Sequence, residues 1–137
     1  MASIRKEVVI NARPESIWSA ARDFGALHRR LVPGFVTDAR LDGDARIVTF
    51  SNGAVARERL VDLDDETRRL AWTVVESPFG LEHHNGVLQI FDEGEDQSLV
   101  VWTADLLPND PASTIDGFME RGLEVMKRTF ERPGSRS

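Results

Sequence analysis

Glu58 sits between two arginines in "AVARERLVDL", a stretch whose apolar residues alternate as in a β-strand. Side chains alternate across a strand, so Glu58 faces the opposite way from Arg57 and Arg59. If that side is buried, desolvation raises the carboxyl's pKa and fits it for proton transfer or for bonding a ligand's polar end. If it is wet, the same glutamate pairs with a neighbouring arginine. A second titratable group stands in "HHNGVLQI", where His83 and His84 are adjacent and point to opposite faces. An imidazole changes charge near neutral pH and can donate or accept, so His84 within reach of Glu58 would complete a polar pair. The alternative is a hydrogen-bonded structural histidine. Adjacent strand histidines cannot share a metal from one face, and with no cysteine and no His-x-His set, no metal or other cofactor is expected.

Motifs that define an enzyme class are missing: no G-x-S-x-G elbow, no phosphate-cradling glycine loop, no H-E-x-x-H and no dinucleotide fingerprint. The carboxylates of "DLDDE" fall in a turn and are expected in solvent.

These groups are placed by a simple succession of elements. A β-branched first strand over 4–9 leads to "NARPESIWSAARDF", where Pro14 suits the first helical turn and Ile17, Ala20, Ala21 and Phe24 form one apolar face with Trp18 in the core. "ALHRRL" reads as a second short helix, ended by Pro33 and Gly34. "FVTDARL", "ARIVTF" and "AVARERLVDL" are joined by Asp42-Gly43 and Asn52-Gly53, dipeptides that accept the positive φ of tight hairpin turns. "RLAWTVVE", "HNGVLQIF" and "SLVVWTADLL" continue the antiparallel meander through the loops "SPFGLEH" and "DEGEDQ". Beyond Pro108, Ile115, Phe118, Met119, Gly122, Leu123, Met126 and Phe130 share one face of a long helix, with Asp110 or Ser113 as its expected cap. The fold class is α+β: a curved antiparallel sheet of about six or seven strands wrapped around a long C-terminal helix, with two short helices after the first strand.

The chain has 137 residues, of which 41% are hydrophobic, enough for one domain over 1–132, with "PGSRS" at 133–137 as a flexible tail. A net charge of -6 speaks against nucleic acid as a partner, because nucleic acid is met by basic patches. Neither a secretory signal nor a membrane helix is expected, since charges interrupt the N-terminus and no run reaches about 18 apolar residues. A cytoplasmic monomer or homodimer is the expectation.

The order "NGAVARERLVDLDDETRRLAWTVVES", a Pro-containing loop, "HHNGVLQI", a turn and "SLVVWTADLLP" resembles the SRPBCC superfamily, and within it the polyketide cyclase/dehydrase and lipid-transport group with its START-like, Bet v-like helix-grip fold. Gly53, Glu58, Leu60, Asp64 or Asp65, Arg69 and Trp72 occupy the places of its pattern. "PESIWSAARDFGALHRRLVPG" is similar to the family's opening. Two departures stand out: the Leu41 to Asn52 stretch is short, and His84 stands where relatives offer an aromatic ring, in a chain without tyrosine.

The resemblance implies a cavity between sheet and helix that binds a hydrophobic small molecule such as a lipid or polyketide-like metabolite. Glu58 would point into it with Ala56 and Leu60. Trp72, Val74, His84 and Trp102 would line it from the following strands, and Phe118, Met119, Gly122 and Met126 from the helix. Trp72 and Trp102 suit dispersion contact with a flat ligand, and the methionines and Gly122 suit an adaptable wall, although both sets also serve ordinary packing. Two other functions are compatible with the same residues. One is a cyclase/aromatase-like or dehydratase-like enzyme in which Glu58 and His84 transfer protons. The other is a ligand-gated interaction module that displays Phe79 and Leu81 of "ESPFGLEHH".

Overall fold

The computed structural model describes residues 2–132, so the expected tail over 133–137 lies outside the described residues. In chain order the elements are β1 (Ala2–Ile10), α1 (Pro14–Ala21), α2 (Leu27–Arg30), β2 (Val36–Asp42), β3 (Ala45–Phe50), β4 (Val55–Asp64), β5 (Arg69–Glu76), β6 (His83–Gly94), β7 (Gln97–Leu107) and α3 (Ala112–Glu131). One antiparallel sheet holds all seven strands in the order β1-β7-β6-β5-β4-β3-β2. β2 through β7 are therefore a plain meander, and β1 returns to pair with β7, nearly 100 residues later, along the register Ala2↔Leu106 to Ile10↔Ser98.

Local chemistry accounts for most boundaries. Pro14 opens α1 at a position where its missing N–H is no loss. Gly43 and Gly53 take positive φ, 63° and 89°, in the two hairpin connections that enclose β3. The first turn falls one residue later than the Asp-Gly pair suggests, on Gly43 and Asp44, with Asp42 already paired to Ala45. α3 is not capped by Asp110 or Ser113. Pro111 stands at its N-cap without a side-chain bond, and the Pro111 carbonyl accepts from Ile115 N–H.

The concave face of the sheet, α1, α2 and the apolar face of α3 enclose the core. α3 is tied to β1 by polar contacts at both ends. Lys6 pairs with Asp116 at 2.9 Å, and Lys127 Nζ donates to the Val9 carbonyl and to Glu131. These contacts fix how the helix lies over the sheet.

Candidate functional site

β4 carries two register shifts, one between Arg57 and Glu58 and one between Leu60 and Asp62. Such bulges bend a strand and re-aim its side chains. Between them Glu58 is turned inward and is only 7% exposed, while Arg59 faces water, as alternation requires. Inside, Glu58 has a partner that sequence reasoning missed. Arg46 of β3, paired directly opposite it, is 4% exposed and donates from Nε to Glu58 Oε1 at 2.7 Å. Arg46 Nη1 donates to the Phe24 carbonyl, and the guanidinium lies over the Phe24 ring at 4.0 Å and near Trp72 at 5.7 Å. Glu58 thus meets a fixed cation instead of the purely apolar surroundings expected for it. The signal was available: Arg46, Val48 and Phe50 share one face of "ARIVTF", so Arg46 had to follow two apolar residues into the core.

The space around this pair is a cavity of two lobes, about 70 and about 50 Å³, sharing Phe35, Phe50, Glu58, Trp72 and Trp102 as walls. The first lobe runs toward α2 and is lined by Leu27, Leu31, Leu70, Leu88 and Met126 among others. The second runs toward the start of α3 and is lined by Val74, His84, Phe118 and Met119, with Phe79 and Leu81 of the β5–β6 loop. Glu58 and His84, far apart in sequence, are therefore brought to the same lobe.

Eight of the ten predicted ligand-binding residues line one lobe or both. Leu60 and Gly122 do not. Arg46 and Phe24 plug the cavity beside Glu58, and Leu60, the next inward position on β4, is left on the outer side of that plug, in a surface groove with Leu41 and Leu63. Gly122 is a packing site: a Cβ there would stand 2.8 Å from Trp102 Cζ3 and 3.3 Å from Phe35 Cε2. Its missing side chain lets α3 lie directly on the Trp102 ring.

Gly86, also unrecognised from sequence, does the same for Trp72, whose Cε2 would stand 2.8 Å from a Cβ. A glycine at an inward position of a strand is the mark of such close approach. Phe79 and Leu81 are partly buried and turned inward. Phe79 packs edge-on against Phe50 and Phe118, at 6.4 and 5.1 Å between centroids, so the displayed apolar pair expected for an interaction surface is not formed. Phe79 also lines an outer groove of about 460 Å³ with Pro78, Gly80, Pro108 and Pro111. It is the wall between groove and second lobe.

His84 is 6% exposed, and burial pushes its imidazole below the usual value, against a smaller opposing pull from Glu58. The ring is therefore neutral near pH 7. Its Nδ1 accepts from Val74 N–H at 3.4 Å, which puts the ring proton on Nε2. Trp102 adds a further polar feature: its Nε1–H is shut off from solvent and has no acceptor among the described residues. A buried donor left so costs about 1–3 kcal/mol. Among the described residues no three His, Cys, Asp or Glu side chains gather as metal ligands.

A seven-stranded antiparallel sheet gripping a long C-terminal helix over a partly open, largely apolar cavity defines a helix-grip protein of the START type. The chain belongs to the family described as polyketide cyclase / dehydrase and lipid transport, which matches residues 1–131. Its solved structural neighbours include a Bacillus thuringiensis protein, with 21% identity, a TM-score of 0.88 and coverage of 96% of this chain and 100% of that one. Truncated norcoclaurine synthase from Thalictrum flavum superposes with a TM-score of 0.73 at 17% identity, covering 96% and 94% of the two chains. A START superfamily protein from Mycobacterium smegmatis gives 0.71 at 13% identity, covering 92% and 97%. At these identities the likeness is one of fold. No curated protein matches the chain.

Proposed function

We propose that the chain binds a small hydrophobic molecule in the two-lobed cavity, with Glu58 and His84 facing the ligand's polar end. The observation that carries this is the lining: aromatic and aliphatic walls with a few inward polar groups, the usual make-up of a ligand site. The lobes are small beside the roughly 300–1,000 Å³ of sites that hold drug-sized molecules. As they stand they suit a compact ligand, and one of lipid size requires Phe79 to swing out of its contacts with Phe50 and Phe118. A cytoplasmic location, a monomeric or homodimeric state and the absence of a nucleic-acid partner go with this function.

Catalysis by Glu58 and His84 is the second possibility, favoured by their place on one lobe. The Arg46 bond to Glu58 weighs against it, because Glu58 Oε1 already accepts from the guanidinium at 2.7 Å and is occupied by that contact. Thermal unfolding in the presence of fractionated hydrophobic metabolites tests binding: a ligand at 100 times its Kd adds about 2.7 kcal/mol to stability. Fractions that raise Tm support the container, and a flat response to every apolar fraction contradicts it. If a turnover assay is found, Glu58→Gln should keep most of the rate; a dead variant that still binds would assign Glu58 the proton-transfer role.

A further inference from the structure

Resting on the cavity function just proposed, we infer that the Arg46–Glu58 pair is the recognition element of the cavity and selects an uncharged apolar molecule that carries a hydroxyl group. Arg46 lines the first lobe and Glu58 lines both; His84 aside, no other titratable side chain lines either. Each partner of the pair is bonded in part only. Arg46 Nε donates to Glu58 Oε1, and Nη1 donates to the Phe24 carbonyl. Arg46 Nη2, on the same edge of the guanidinium as Nε, and Glu58 Oε2 have no hydrogen-bond partner among the described residues. Among those residues the unpartnered side-chain atoms that are shut off from solvent are His28 Nδ1 and Trp102 Nε1. Nη2 and Oε2 are therefore unpartnered but open. Neither residue lines the outer groove beside Leu60, so the side left open is the one that meets the lobes.

A guanidinium nitrogen can only donate and a carboxylate oxygen can only accept. Nη2 and Oε2 flank the 2.7 Å contact between Nε and Oε1, so a free donor and a free acceptor stand close together on the wall. One hydroxyl oxygen meets both, accepting from Nη2 while its own proton goes to Oε2. Both bonds are then to charged groups, which makes them the stronger kind. A methyl group in the same place leaves both atoms unmet. The charges of the pair already cancel, so a carboxylate or ammonium ligand would add a third, uncompensated charge among apolar walls, and such burial is strongly unfavourable.

Two probes of matched size isolate the hydroxyl: ethylbenzene, and benzyl alcohol, in which the terminal methyl is replaced by OH. Their dissociation constants are measured by NMR titration of the native chain and of the double variant Arg46→Met, Glu58→Leu, which exchanges the pair for apolar side chains. The double variant should lower the preference for benzyl alcohol over ethylbenzene by about 10- to 100-fold, the range of one hydrogen bond to a charged group. In the native complex the CH2 protons of benzyl alcohol should give nuclear Overhauser effects to the Arg46 Nε–H, a reading that needs no variant to fold. An unchanged preference in the double variant overturns the inference, as does benzyl alcohol that contacts the Met126 or Met119 methyl without contacting Arg46. If ethylbenzene occupies the native cavity while benzyl alcohol fails either reading or does not bind, the cavity function stands and this inference alone fails. If neither probe enters the cavity, both fail.

Discussion

Glu58 and Arg46 are each tolerable in the core only because the other is there. Removing one partner of a buried, bonded pair typically costs about 3–5 kcal/mol, because the remaining charge keeps its desolvation penalty and loses its compensation. Glu58→Leu should therefore destabilise the fold by about that much in urea unfolding. The double variant Arg46→Met, Glu58→Leu should recover most of the loss; equal destabilisation by single and double variants would contradict the pairing. His84 makes a pH prediction. Its folded-state affinity for a proton lies below the ordinary value of 6.5, burial being the main cause. As pH falls below about 6.5, the unfolded chain takes up a proton that the folded ring resists, so stability declines in that direction. Between pH 7.5 and 5.5 the native chain should lose more stability than His84→Gln, and parallel curves would show that the ring is not held neutral. The inward turn of Glu58 and His84 was legible from period-two alternation together with the family pattern. The partner was not, because an arginine among apolar neighbours is read as exposed unless its own strand periodicity is given more weight than its charge.

At the scale of elements, α3 and the β5–β6 loop decide how much room the cavity has. Gly122→Ala should improve helix propensity by about 1 kcal/mol yet lower stability, because a Cβ 2.8 Å from Trp102 incurs an overpacking cost of about 1–3 kcal/mol. A net rise in Tm would show that α3 can shift away freely. Phe79→Ala removes the ring between the second lobe and the outer groove. It should cost about 3–5 kcal/mol if the site behaves as full core, and less where a partly buried ring leaves solvent access. Faster association of a bulky apolar ligand should accompany it, measured by stopped-flow tryptophan fluorescence. The helical and strand periods made these elements readable. The placing of Leu60 was not, since it depends on a plug formed by Phe24 and Arg46 from two distant segments, and the loop carrying Phe79 has no period that says which way its side chains turn.

Across the whole molecule, the sheet was readable because six of its seven strands follow one another through short connections, each marked by Gly, Asp or Asn or by a break in alternation. β1 pairing with β7 is the long-range step, and it closes the edge on which α3 rests. Cavity volume was beyond reach of the sequence, because it is the small difference left after large rings pack together. No helix of the described chain is long and apolar enough to cross a membrane. The central claim is that this core takes in a small apolar ligand, and the two methionines of α3 report on it from inside: Met126 lines the first lobe and Met119 the second. With the native chain saturated by ethylbenzene, intermolecular nuclear Overhauser effects are predicted from the ligand to the methyl groups of Met119 and Met126. Effects confined to exposed side chains such as Val9 and Phe91 on the outer face of the sheet, or none at all, would contradict it.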